Sequence, residues 1–181
     1  MATHIRPASS RKHDLQSLAA LDVKDLGELY AHGTIPARMD ALEGRPRGRM
    51  LAIRGADRGI TGNLLRRFAG SAGFPWSGKS FFGSGATGTG INRVELGGKH
   101  NLFPFLTSQR ASVIDGAPCI VLDYDLPDNP GVIRMIHDEL REIDPGLFLG
   151  PAMLKTKSGP KFVLWFALDT QVQVAADPRL A

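Results

Sequence analysis

The stretch Leu106-Thr-Ser-Gln-Arg-Ala-Ser-Val-Ile114-Asp115-Gly116-Ala-Pro118-Cys-Ile-Val-Leu-Asp-Tyr-Asp-Leu126 decides how this chain folds. Two runs of strand-forming residues flank Asp115-Gly116, a pair that tolerates positive φ. The segment therefore reads as a hairpin joining Leu106–Ile114 to Pro118–Leu126 through a tight type I′ turn. Its apolar run, Cys119-Ile-Val-Leu, gives Cys119 the reading of a small buried hydrophobe.

The same character extends on both sides of the hairpin. Leu147–Lys155 and Lys161–Leu168 form a second hairpin across Lys157-Ser-Gly-Pro. Lys79–Phe82 and Ile91–Leu96 form strands around a glycine-rich stretch, and Arg49–Arg54 is the first strand. The chain before it is helical in spacing. Asp14–Ala31 carries Leu15, Leu18, Leu26, Leu29 and Tyr30 on compatible faces, with Asp22 as an internal restart cap. A short helix follows from Thr34 and Pro36 to Gly44, and another spans Thr61–Ala69. Asn129 and Pro130 start a helix over residues 130–143, with Val132, Ile133, Ile136, Leu140 and Ile143 as its apolar stripe. Residues 1–13 read as a disordered tail, 14–169 as one domain (a helical lead-in to 44, then strands from 45), and 170–181 as a second tail.

At 181 residues, 43% of them apolar and 22% charged, the chain suffices for one ordinary core. The net charge of +4 is scattered and lacks aromatic interleaving, so a nucleic-acid partner is not expected. One cysteine excludes an internal disulfide framework and a multi-cysteine metal site. The five histidines show no metal-ligand spacing, so neither a metal nor another cofactor is expected. The basic, polar N-terminus has no secretory h-region, and no run approaches the ~20 apolar residues of a spanning helix. A cytoplasmic location without a membrane partner is expected. Oligomeric state stays open.

Gly73-Phe-Pro-Trp-Ser-Gly78-Lys79-Ser80 satisfies the P-loop pattern, and Cys119-Ile-Val-Leu-Asp123 resembles an apolar strand ending in a magnesium-holding acid. That chemistry needs a strand before the loop and a helix starting at the lysine. Here a helical segment precedes Gly73 and a glycine-rich stretch follows Lys79, so nucleotide binding remains a minor alternative. Gly83-Ser-Gly85-Ala-Thr-Gly88 matches a dinucleotide fingerprint, but strand rather than helix follows it.

Leu42-Glu-Gly44-Arg-Pro46-Arg-Gly48 together with Trp76-Ser-Gly78-Lys79-Ser-Phe81 resembles bacterial proteins that carry a G-x-W-x-G motif. A second stretch, Leu122–Pro130 through His137–Arg141 to Pro145–Gly150, is similar to a segment of uncharacterised bacterial proteins. The resemblance covers roughly residues 40–168 and implies a lipocalin-like antiparallel barrel. In such barrels the motif's tryptophan closes one end by packing under the strands. Pro46 stands at that position here with both glycines kept, and Trp76 or Trp165 could replace it from elsewhere.

The expected architecture is thus α+β: an antiparallel barrel with a helical lead-in and one capping helix over residues 130–143. Its interior would hold a small apolar or amphipathic molecule. Candidate ligand-binding residues are Trp76, Lys79, Asn92, Tyr124, Arg134 and Arg141. The alternative is a cofactor-free isomerase, cyclase or lyase in the same pocket, with Asp123, His137 and Asp138 as catalytic acids and bases beside Lys79. Which face of each strand points inward is undecided, since a one-residue slip reverses every assignment.

Overall fold

In the computed structural model, the described residues are 11–36, 39–53, 76–83, 87–95 and 97–175. Eight strands follow one another around a closed antiparallel barrel: β1 (Pro46–Ile53), β2 (Trp76–Phe82), β3 (Thr87–Glu95), β4 (Lys99–Ala111), β5 (Pro118–Asp123), β6 (Ile136–Asp144), β7 (Leu147–Leu154) and β8 (Lys161–Gln173). Each strand pairs with its sequence neighbour, and β1 closes on β8. Closure gives each strand a neighbour on both sides.

The helical lead-in consists of α1 (Leu15–Leu18) and α2 (Val23–His32). Asp22 restarts the helix as expected: its carboxylate accepts from the Lys24 and Asp25 amides at 2.8 Å. The lead-in lies against the outside of the wall. Leu18, Leu26 and Tyr30 bury against Leu51, Leu147, Leu149, Trp165 and Ala167, and the Trp165 indole donates to the Val23 carbonyl at 3.1 Å. Residues expected in the N-terminal tail are pinned to the barrel, Arg11 to Asp169 and His13 to Asp144, each at 2.8 Å. Thr34 pairs with Glu142, and a 3-10 turn, Met39–Leu42, stands where a short helix was expected. Leu42 is buried in the interior core beside Phe81, Phe105, Phe148 and Leu168. β8 continues to Gln173, past the expected end of the strands at 169. The helix expected over residues 61–69 lies outside the described residues.

Two local expectations are corrected. The hairpin between β4 and β5 exists, but its loop is longer than a two-residue type I′ turn. Ser112 N–H donates to the Ala117 carbonyl at 2.9 Å, enclosing Val113–Gly116, and Gly116 takes positive φ (76°). Asp115 instead uses its carboxylate to hold Arg141.

The second correction concerns the capping helix over residues 130–143. Only one turn, α3 (Gly131–Arg134), forms there, and from Ile136 the chain is strand β6. The registers Ile120↔Leu140 and Leu122↔Asp138 set Ile136, Asp138 and Leu140 inward. His137, Glu139 and Arg141 alternate outward, and the latter two are buried. With charges buried on both faces, the strand shows no apolar alternation, and its isoleucines and leucine happen to fall at helical spacing. Pairing on both sides, with β5 and β7, overrides the local preference.

The outward carboxylate of Glu139 explains how polar groups survive there. Burial opposes its ionisation, but hydrogen bonds from His137, Ser112, Tyr30 and the Val113 amide outweigh that cost and hold it at about 2. The folded value lies below the ordinary 4.5, so this stabilisation is present above pH 4.5 and is lost as the pH falls toward 2. Urea denaturation between pH 7 and pH 3 should show an acid-labile component of up to about 3 kcal/mol in the wild type. Glu139→Gln should lack most of it. Cys119 is fully buried, and burial pushes its thiol up to about 12. It should react with a thiol reagent only after denaturant is added.

Candidate functional site

β2 sets the site. Strict alternation would place Trp76 and Lys79 on opposite faces, but a register shift between Trp76 and Gly78 turns both inward. Across the β2–β3 pair, Lys79 faces Asn92, and Phe81 faces Gly90. A Cβ on Gly90 would stand 2.3 Å from the Phe105 ring, so glycine there makes room for Phe105 inside the barrel. A Cβ on Gly48 would meet the Trp76 ring at 2.7 Å. The first strand thus yields space to a tryptophan supplied by the second, while Pro46 offers its carbonyl to Arg93 at 2.6 Å. Arg93 also donates to the carbonyls of Ser77 and Lys79, bridging the seam where β1 and β2 share the single register pair Arg47↔Gly78.

The Lys79 ammonium, 3% exposed, makes three hydrogen bonds inside the barrel: to Tyr124 Oη at 2.5 Å, Asn92 Oδ1 at 2.8 Å and Asp138 Oδ2 at 3.0 Å. Tyr124 donates to Asp138 Oδ2 at 2.9 Å, and Trp76 donates to Asn92 Oδ1 at 3.1 Å. Four rings surround the ammonium, those of Trp76, Phe105, Tyr124 and Phe166, with centroids 5.0–5.4 Å away. Burial pulls the lysine below its ordinary value, against the attraction of Asp138. Burial, together with the nearby Asp138 charge, pushes Tyr124 well above its own. Tyr124 therefore stays a neutral hydroxyl at any physiological pH.

This cluster borders a cavity of about 120 Å³ in the half of the barrel toward α3. Its other walls are apolar, including Met50, Val94, Ile133, Ile136, Met153 and Phe166. Phe103 reaches the same cavity from a bulge in β4, where its backbone takes φ 61° and its carbonyl accepts from Asn92 at 3.1 Å. A left-handed non-glycine residue at a cavity wall is local strain of the kind that gathers at functional sites.

Of the nine candidates, Trp76, Lys79, Asn92, Tyr124 and Asp138 meet at this cavity. The other four do not. Asp123 and His137 form one cross-strand pair on the outer face, where Asp123 binds Lys155 at 3.0 Å and His137 binds Glu139 at 3.1 Å. Arg134 is exposed and paired with Asp125 at 2.6 Å. Arg141 is fully buried outside the barrel, stacked on Tyr30 at 4.3 Å. Its five N–H groups go to both Asp115 oxygens and to the carbonyls of Tyr30, Ala117 and Pro118, so none is left for a ligand. Sequence reading missed Phe105 and Phe166, which complete the ring around Lys79. The inward parity of Leu164, Phe166 and Leu168 was the available signal. The P-loop reading is overturned as well. Lys79 sits within a strand and points into the barrel, whereas a P-loop lysine opens a helix whose N-terminus faces the phosphate.

No family model matches the chain, and no curated protein matches it. Among solved structures, the crystal structure of a protein from Thermomonospora curvata is similar at 19% identity, covering 82% of this chain and 87% of that one with a TM-score of 0.49. Among the described residues, no cluster of metal-ligating side chains is present and no helix is long and apolar enough to cross a membrane.

The buried pair yields a stability test. Lys79→Met strands the Asp138 carboxylate and should cost about 3–5 kcal/mol in chemical denaturation. Lys79→Met combined with Asp138→Leu removes both charges and should recover a large part of that loss.

Proposed function

We propose that this barrel binds a small, largely apolar molecule in the interior cavity, oriented by the Lys79–Asp138–Tyr124–Asn92 cluster. The observation that carries the reading is the combination of a largely apolar cavity with a charged pair at its border. A buried ion pair stabilises a fold less well than hydrocarbon of the same volume. Its placement against a cavity, rather than within solid packing, therefore fits a recognition role. At about 120 Å³ the space is comparable with a cavity of about 150 Å³ known to hold benzene, which fits an occupant of similar scale.

A second reading is favoured by the convergence of three titratable groups. Lys79, Tyr124 and Asp138 lie within hydrogen-bond reach of one another, with Lys79 pulled down and Tyr124 pushed up. A proton could pass between the lysine and the carboxylate during a cofactor-free isomerisation or elimination. Asp123 and His137 take no part in such a unit. This reading requires turnover to depend on Lys79 and Asp138 while binding survives their conservative replacement.

Native mass spectrometry on protein purified gently from its own host would reveal a retained molecule. Ala152 lies on the cavity wall, and Ala152→Leu fills the space without adding a polar group. It should abolish the adduct while the circular dichroism spectrum and cooperative unfolding are retained. An adduct that persists at full occupancy in this variant would overturn the assignment to the cavity.

A further inference from the structure

The hydrogen-bonding capacity of the polar cluster is almost fully used, and what remains has one sign. Lys79 carries three N–H groups, and these meet Tyr124 Oη, Asn92 Oδ1 and Asp138 Oδ2. The Asn92 amide donates to the Phe103 carbonyl at 3.1 Å and to Tyr124 Oη at 3.3 Å, while its oxygen accepts from Lys79 and Trp76. That orientation is forced, because a flipped amide would aim its NH₂ at the ammonium and the indole N–H. The Tyr124 hydroxyl accepts from Lys79 and Asn92 and gives its proton to Asp138. Asp138 Oδ2 accepts from Lys79 and Tyr124. Among the described residues no donor reaches Asp138 Oδ1, the one buried side-chain oxygen or nitrogen on the described cavity wall without a partner.

We propose that Asp138 Oδ1 is the recognition atom of the cavity, and that the ligand is a small apolar molecule bearing one hydrogen-bond donor, an alcohol or an amine. This deepens the binding reading above and rests on it. A carboxylate that is 3% exposed and ion-paired through one oxygen has a strong demand for a donor at the other. A ligand that occupies the cavity without donating leaves this buried charged acceptor unpaired, and that penalty is what gives such sites selectivity. No unused donor remains in the cluster for a carbonyl or carboxylate to accept from. A carboxylate would also bring its charge against Asp138.

Cyclopentanol, cyclopentanone and methylcyclopentane are close in shape and size; the alcohol carries a donor as well as an acceptor, the ketone an acceptor only, and the hydrocarbon neither. Titration of the wild-type protein followed by amide NMR should show the alcohol binding tighter than the other two by roughly tenfold or more. Asp138→Asn keeps an oxygen toward Lys79 and sets an NH₂ where Oδ1 stood, so it should shift the preference from alcohol toward ketone. Equal binding of all three probes by the wild type, or tighter binding of the ketone, would overturn the proposal while leaving a binding cavity intact. Should none of the three bind, the binding reading itself falls, and this inference with it. The wild-type comparison decides the matter even if Asp138→Asn fails to fold.

Discussion

The ammonium of Lys79, enclosed in hydrocarbon, imposes its requirements on most of the barrel around it. A buried charge is tolerated only when paired and hydrogen-bonded in full, so several strands must each deliver a group at the right height. β6 supplies the carboxylate, the residue directly after β5 the phenol and β3 the amide, while β2, β4 and β8 contribute rings. Barrel closure makes this possible, since eight inward-facing strands converge on one small volume. The register of each neighbouring pair is therefore bound to the site, because a one-residue slip of β6 along β5 would turn Asp138 outward and part it from Tyr124.

The two halves of the interior divide the work. Toward the Leu42 end, Phe81, Phe105, Phe148 and Leu168 fill the barrel. Toward α3 the packing stops short, and the space left is bordered by the polar cluster on one side and apolar side chains on the others. The outer face has its own logic. Arg141 and Glu139 are as deeply buried as any leucine, yet their partners are Asp115, Tyr30, Ser112 and backbone groups, which together bind the lead-in helix and the β4–β5 loop to β6. These two buried charges act in cohesion, whereas Lys79 and Asp138 border open space.

Much of the scaffold was legible from the chain. The β4–β5 and β7–β8 strand pairs, the restart at Asp22 and the buried Cys119 follow from local pattern, and the closed antiparallel barrel is the architecture that was expected. The stretch after Pro130 was not legible. Its apolar positions fit a helix, and the charges between them read as a solvated face, because nothing local tells a charge that meets solvent from one that meets a partner at a distance in the chain. Arg141 finds Tyr30, and Glu139 finds both Tyr30 and Ser112, only after the lead-in has folded across the wall.

What the sequence determined by itself was a set of residue types and short-range spacings: turn residues, strand-forming runs, and polar residues set among apolar ones. The tertiary structure alone decided which of those polar residues meet. It did so through inward or outward parity, which a bulge at Ser77–Gly78 can reset for Trp76 and Lys79 and which ladder register fixes for Asp138 against His137. Parity is a property of paired strands, set when the backbone hydrogen bonds of a closed barrel must all be made at once.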